Sequence, residues 1–581
     1  MFASIRAVRG RRLLLWCQVL LGVALPSTLW SQTATAPPAT AAPAISVGPQ
    51  VEVEHGVVVS VSEPASRAGL EVLRDGGTAV DAAVATAFAL AVTHPQAGNI
   101  GGGGFMLVHP GGGAEPVSFV YRETAPAAST KTMFELGEDR HTAKMAGTPG
   151  TVRGMELAHR RFGKLPWKRL VLPAVKLARD GFAVDRSLAS SLNSIVKNSP
   201  RHEELRRVFS HPDKRPWEAG DKLVQPDLAD SLEQIALKGP NAFYQGKIAE
   251  LLVREMQQSG GLITRDDLAK YHAIERKPIH GTYRGYDVYG PPPPSSGGIC
   301  LVQMLNVLET FNLRQRDRFA AETLHLMAEA MRRAYYERAR HLGDPDFVEI
   351  PSHLTSKAFA RELAATINPK RATPSVELSK DIKLVDESES TTHFSVIDAT
   401  GMAVSNTYTL NFSYGNGIAV TGAGFLLNNE MDDFSAKPGV PNAFGLLGDE
   451  ANAIEPGKRP LSSMTPTLVF KDGEPVLVTG GPGGSRIITS VLQVISNHVD
   501  FGMNIAEATA APRIHHQWYP DQVEVEKGIS PDTLALLRAM GHDVKASPWA
   551  IGRTQSITLE PGGFQGMTDY RWPGGSAEAA Q

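Results

Sequence analysis

Cysteine is almost missing from this 581-residue chain: Cys17 and Cys300 are the only two. Cys17 lies in an amino-terminal apolar run, so loss of that run leaves Cys300 alone and no intramolecular disulfide can form. The fold must then rest on its core. Long hydrophobic runs are also missing beyond the amino terminus, and no later stretch reads as transmembrane. Positive charge is not in surplus: 58 Lys and Arg stand against 61 Asp and Glu, for a net −3. That balance disfavours nucleic-acid binding, which leans on basic surface. Several signatures are absent too. There is no G-x-S-x-G elbow. The run Gly480-Gly481-Pro482-Gly483-Gly484 lacks the Gly-Lys-Ser/Thr of a phosphate loop, and Gly98 with Gly101 to Gly104 lacks the G-x-G-x-x-G spacing. His515-His516 has no acid or cysteine cluster at metal-ligand spacing. Neither a cofactor nor a metal is expected.

The first residues carry an export pattern. Arg6, Arg9, Arg11 and Arg12 precede an apolar run over residues 13–25, too short to span a bilayer but suited to a signal peptide. Cleavage is expected near Ser31, and the bulky Trp16 before Cys17 argues against a lipid anchor. Losing residues 1–31 removes four arginines and no acid, taking the formal charge from −3 to −7. Residues 32–48 read as a flexible Ala/Thr/Pro leader. An exported protein, periplasmic or secreted and without a stable membrane anchor, is expected.

Hydrophobic content of 42% and charged content of 20% are those of a globular protein. Helices are predicted over residues 64–73, 79–92, 152–162, 167–180, 226–237 and 241–259. Leu324, Met327, Ala328, Met331, Ala334 and Tyr335 mark an amphipathic helix by their i, i+3, i+4, i+7 spacing. Residues 105–109 and 117–121 read as strands around the Gly111-Gly112-Gly113 turn. After residue 391 strands dominate, then a helix over residues 484–499.

At Thr391 a hydroxyl-rich segment, Ser388-Glu389-Ser390-Thr391-Thr392-His393, runs into an alternating strand. There Phe394, Val396 and Asp398 take one face and Ser395 and Ile397 the other. A threonine hydroxyl is a weak nucleophile until a base adjoins it. Cleavage between Ser390 and Thr391 would create that base, because the freed α-amine has a reference pKa of about 7.7–8. A Thr-Thr pair at a strand start is otherwise ordinary strand chemistry.

Other motifs shift that balance. They are Gly76-Gly77-Thr78-Ala79-Val80-Asp81, Tyr121-Arg122-Glu123-Thr124-Ala125-Pro126 and Pro292-Pro293-Pro294-Ser295-Ser296-Gly297-Gly298. Three more follow: Asn428-Asn429-Glu430-Met431-Asp432-Asp433, Lys458-Arg459-Pro460-Leu461-Ser462-Ser463 and Thr479 to Arg486. Together with Thr391-Thr392-His393 they resemble the γ-glutamyltransferases (γ-glutamyltranspeptidases), within the N-terminal-nucleophile hydrolases. The resemblance runs from about Val51 to about Arg571.

That resemblance implies an α+β fold, a four-layer αββα sandwich built jointly by two fragments of one precursor, residues 49–390 and 391–581. It implies γ-glutamyl donors such as glutathione and amino-acid or dipeptide acceptors. Thr391 is then the nucleophile, Thr409 the hydroxyl that holds it, and Gly483 and Gly484 the oxyanion donors. Arg122 would clamp the α-carboxylate in a bidentate fork that lysine lacks, aided by the hydroxyls of Ser462 and Ser463. Glu430 and Asp433, with Asn411, would hold the α-ammonium, while Asp432 reads as a solvated turn residue. Residues 438–449 match a lid loop, with Phe444 where many members carry tyrosine. Two other readings remain open: a cephalosporin-acylase-like amidohydrolase, whose substrates lack the α-amine, and an exported homologue that never matures.

Overall fold

The computed structural model describes residues 51–53, 56–134, 138–378, 391–435, 449–560 and 563–579, all within one compact unit, Val47–Gln581. The segments expected to be a signal peptide and a leader, together with Ser390 and Phe444, lie outside the described residues. Among those described, no helix is long and apolar enough to cross a membrane.

Two seven-stranded antiparallel sheets stack face to face. One runs Ser576–Ala579, Gly56–Ser60, Thr392–Asp398, Ala403–Thr409, Gly103–His109, Val117–Val120, Ile274–Arg276. The other runs Val51–Val53, Gly563–Thr568, Gln555–Glu560, Glu474–Thr479, Thr467–Lys471, Tyr286–Gly290, Ile279–Tyr283. Period-2 alternation sorts each strand between two layers. In Thr392–Asp398, Ile397 joins Val57, Leu107, Leu468, Val478 and Ile557 between the sheets. Phe394 and Val396 turn the other way, onto the helices Glu63–Arg74 and Ala79–Thr93. Helices Gly297–Glu309, Ala321–His341 and Arg486–Val499 cover the outer face of the second sheet. The result is the four-layer α+β sandwich expected from the resemblance.

Local sequence explains several of these elements. Helix Ala79–Thr93 starts at a reciprocal cap: Asp81 N donates to Thr78 Oγ1 (3.1 Å) and Thr78 N to Asp81 Oδ2 (3.0 Å). All fifteen of its residues are buried, as its alanines allow. The helix expected over residues 241–259 is instead two, Asn241–Tyr244 and Lys247–Ser259. Gly246 is extended between them, and Tyr244 is pinned by donating to Pro149 O (3.1 Å). The helix Ala321–His341 is also less amphipathic than its spacing suggested. Its charged residues Glu329, Arg332, Arg333 and Arg338 are buried, with Glu329 paired to Arg332 (3.2 Å) and Arg333 (2.6 Å).

Glu329 also lies within 4.8 Å of His325 and His542, a grouping of metal-capable atoms. Its oxygens already accept guanidinium N–H groups, and His325 Nδ1 meets His542 Nε2 at 2.8 Å. The cluster is an ion-pair network and not an open coordination site.

Five buried histidines give the fold an acid limit. Burial lowers His94, His393 and His516 to about 3 and His515 and His542 to about 4. Each stays neutral when folded and would bind a proton near pH 6.5 when unfolded, so stability falls as pH drops below 6.5. Each histidine can contribute up to about 1.4 kcal/mol per pH unit in that window. The urea midpoint at pH 5 should therefore lie clearly below that at pH 7. An unchanged midpoint would mean that these rings do not set the acid limit.

Candidate active site

A hairpin sets the central geometry. The turn after Asp398 is closed by its Oδ1, which accepts from Thr400 N (2.9 Å) and Met402 N (3.2 Å), with Gly401 at φ 82°. From there Ile397 pairs with Ala403, and the register reaches Thr392 opposite Tyr408. One step further places Thr391 opposite Thr409. Thr409 Oγ1 accepts from Asn411 N (2.8 Å) and donates to Thr391 Oγ1 (3.4 Å). Thr391 is buried, 8% exposed.

The glycine run Gly101 to Gly104 serves this hairpin. A Cβ on Gly102 would stand 2.0 Å from Thr409 O, and one on Gly104 2.4 Å from Thr407 O. Asn99 completes the contact, donating to Thr409 O (2.9 Å) and accepting from Gly102 N (2.9 Å).

One cavity is lined by Thr391, Thr409, Asn411, Arg122, Asp433, Ser462, Ser463, Gly484 and neighbours. Chain segments far apart in sequence thus meet as the motifs suggested. Glu430, fully buried, stands directly behind, and Gly483 adjoins Gly484. Gly483 and Gly484 hold φ of 141° and 54°, so the helix expected from residue 484 begins at Arg486. Asn411, at φ 73°, donates from its side chain to Asn429 O (3.1 Å).

The polar end of the cavity differs from expectation in one respect. Arg122, read as a carboxylate clamp, pairs with the acids read as ammonium ligands: Glu430 at 2.5 Å and Asp433, with Glu123 at 3.6 Å. Its Nε also donates to Pro460 O (3.2 Å). Burial opposes the charge on Arg122, but the three surrounding carboxyls hold its pKa above the ordinary value. Burial pushes Glu123 up to about 8 and Glu430 well above the carboxylate range, Arg122 opposing in both cases. Asp433 is raised by the same cause. Burial thus favours the protonated form of all three carboxyls, while the one guanidinium they surround favours the charged form. Asp432 is not a solvated turn residue. Its side chain is 7% exposed and meets Arg140 Nε at 3.1 Å.

The serine loop is held by the Pro-rich motif. Ser296 N and Oγ both donate to Ser462 O (2.8 and 2.7 Å), Ser462 N donates to Pro294 O (2.8 Å), and Ser295 Oγ to Met464 O (2.6 Å). Ser295-Ser296 is thus scaffolding for Ser462 and Ser463. Sequence reasoning missed Arg338, a third charged group on this cavity. It sat on what read as the polar side of an amphipathic helix, and no local signal marked it.

Comparison with known proteins finds relatives along nearly the whole chain. The Gamma-glutamyltranspeptidase family matches residues 65–579. The glutathione hydrolase proenzyme of Escherichia coli (strain K12) is 50% identical over 565 residues, 94% of this chain and 97% of that protein. Among solved structures, a cephalosporin acylase from Bacillus halodurans aligns with a TM-score of 0.82 at 26% identity, covering 94% of this chain and 99% of its own. A γ-glutamyltranspeptidase chain from Helicobacter pylori aligns with a TM-score of 0.55 at 41% identity, covering 56% of this chain and 95% of its own.

Proposed function

The chain belongs to the γ-glutamyltranspeptidase family of enzymes, and from that premise we propose that it cleaves itself at Ser390–Thr391 and then transfers γ-glutamyl groups from glutathione-like donors. The observation that carries this reading is the hydroxyl pair Thr409–Thr391 in one cavity with Arg122, Asp433, Ser462 and Ser463. In the first step Thr391 Oγ attacks the Ser390 carbonyl and the C–N bond breaks, leaving an ester and a free Thr391 α-amine, and water then releases the Ser390 acid and restores the Thr391 hydroxyl. That amine then takes the Oγ proton as Oγ attacks the donor's γ-carbonyl.

Backbone N–H groups of Gly483 and Gly484 receive the oxyanion, a contribution of about 3–4 kcal/mol per donor in comparable sites. Collapse expels the leaving amine, which carries away the proton, and leaves a γ-glutamyl ester on Thr391. Water or the amine of an amino acid or dipeptide then takes the acyl group. The donor's α-carboxylate is held by Arg122, Ser462 and Ser463. Its α-ammonium is held by Glu430, Asp433 and Asn411, and so exchanges for Arg122 as partner of the two acids. Residues 49–390 and 391–581 form the two subunits, and residues 1–31 direct export to the periplasm or medium.

On a denaturing gel the wild type should give two bands, the smaller of 191 residues with the amino-terminal sequence Thr-Thr-His-Phe. A fragment starting at Thr392, or a single fully active chain, would overturn the assignment. The structural likeness to a cephalosporin acylase supports a second reading. It predicts that glutaryl-p-nitroanilide, which lacks only the α-amine, is turned over as well as γ-glutamyl-p-nitroanilide. The charge at Asp433 argues for a strong preference for the γ-glutamyl compound.

A further inference from the structure

We infer that Arg338 is a positioning residue for the donor's α-carboxylate, acting by fixing the hydroxyls of Ser463 and Ser462 as donors. This deepens the donor-pocket reading and rests on it. Arg338 comes from the helix Ala321–His341, is 4% exposed, and reaches the same cavity as Thr391 and Arg122. Its Nη2 donates to Ser463 Oγ (3.3 Å) and its Nε to Ser296 Oγ (2.9 Å).

A guanidinium can only donate, so in these contacts the serine oxygens can only accept. Ser463 therefore keeps its single proton for another acceptor, and the adjoining cation polarises that O–H bond. Ser462 is prepared in parallel. Its Oγ accepts from Met464 N (3.1 Å), and its carbonyl is gripped twice by Ser296, the other serine that Arg338 holds. Among the described residues, neither Ser462 nor Ser463 donates its hydroxyl proton to a protein acceptor. Two oriented donors facing a cavity suit a carboxylate.

Charge supports the same assignment. Arg122 is engaged by Glu430 and Asp433, whereas Arg338 has no carboxylate within ion-pair distance among the described residues. Of the two arginines on the cavity it is the one without a carboxylate at ion-pair distance, Asp433 acting on it only from further off. Lysine could keep the charge but could not hold both serines from one planar fork.

Three anilides separate this role from a merely structural one: γ-glutamyl, glutaryl (no α-amine) and 4-aminobutyryl (no α-carboxylate). Arg338→Met should raise KM for the γ-glutamyl and glutaryl compounds about 10–100-fold, the range for a lost charge-assisted hydrogen bond. It should leave kcat within about threefold and KM for 4-aminobutyryl-p-nitroanilide unchanged. Ser463→Ala should give the same substrate pattern, and the two changes together should cost less than the product of their separate effects. Arg338→Lys, the milder change, should fall between wild type and Arg338→Met, and it carries the test if Arg338→Met does not fold. Equal losses on all three substrates, or no KM change on any, would overturn the inference. A wild type that turned over the 4-aminobutyryl compound as well as the γ-glutamyl one would instead overturn the donor-pocket reading itself.

Discussion

Thr391→Ala should remain a single 581-residue chain, less any export signal, and should show no γ-glutamyl transfer. Both consequences follow from one oxygen. The hydroxyl that attacks the Ser390 carbonyl also attacks the donor, so its loss removes the acyl intermediate in both reactions. Thr391→Ser keeps the oxygen but drops the methyl that restricts its rotamers, and should cleave slowly and turn over slowly. Thr409→Val should show a milder form of the same defect, since it removes the proton now directed at Thr391 Oγ1. The measurement is paired: fragment formation over time on a denaturing gel, and anilide hydrolysis by the same samples. Activity in an uncleaved Thr391→Ala chain would place the nucleophile elsewhere.

The next largest effect is expected at Asp433. Asp433→Asn removes one of the three carboxyls around Arg122 and, in the proposed complex, one partner of the substrate ammonium. Breaking a buried charge pair costs about 3–5 kcal/mol, or two to four orders of magnitude in kcat/KM for the γ-glutamyl anilide. Glutaryl-p-nitroanilide has no ammonium to lose, so its turnover should change much less and the preference between the two donors should collapse. Cleavage of the chain should be unaffected, which separates this change from misfolding. Equal losses on both donors would mean that Asp433 serves the cavity by holding Arg122 and not by binding the amine.

How far the site could be read in advance depended on the range of the interaction. The strand after Thr391 was legible because its alternation is local, whereas the register that sets Thr391 against Thr409 emerges only with the paired strand Ala403–Thr409. The helix Ala79–Thr93 was legible because its alanines lie in one stretch of chain. Arg338 was not, because its meaning lies in Ser463 and Ser296, reached only through tertiary packing. Asp432 was misread for a similar reason: its partner Arg140 lies far away along the chain. The motifs carrying Arg122 and Asp433 do meet on one cavity, but the direct pairing of the two depends on side-chain distances that no motif encodes.

The strand order has a consequence for how the matured enzyme would come apart. In the first sheet, Thr392–Asp398 and Ala403–Thr409 lie between Gly56–Ser60 and Gly103–His109, and Ser576–Ala579 adds a further edge. The second sheet likewise joins Tyr286–Gly290 to Thr467–Lys471 and Val51–Val53 to Gly563–Thr568. A cut at residue 390 therefore severs one covalent bond and no hydrogen-bonded ladder between these strands. The fragments cannot separate without opening both sheets, so dissociation and global unfolding become one event. The return journey changes in kind: what was a unimolecular refolding of the precursor becomes a bimolecular encounter between two incomplete halves, dependent on concentration. Self-cleavage would convert a protein held by equilibrium into one held by the height of its unfolding barrier.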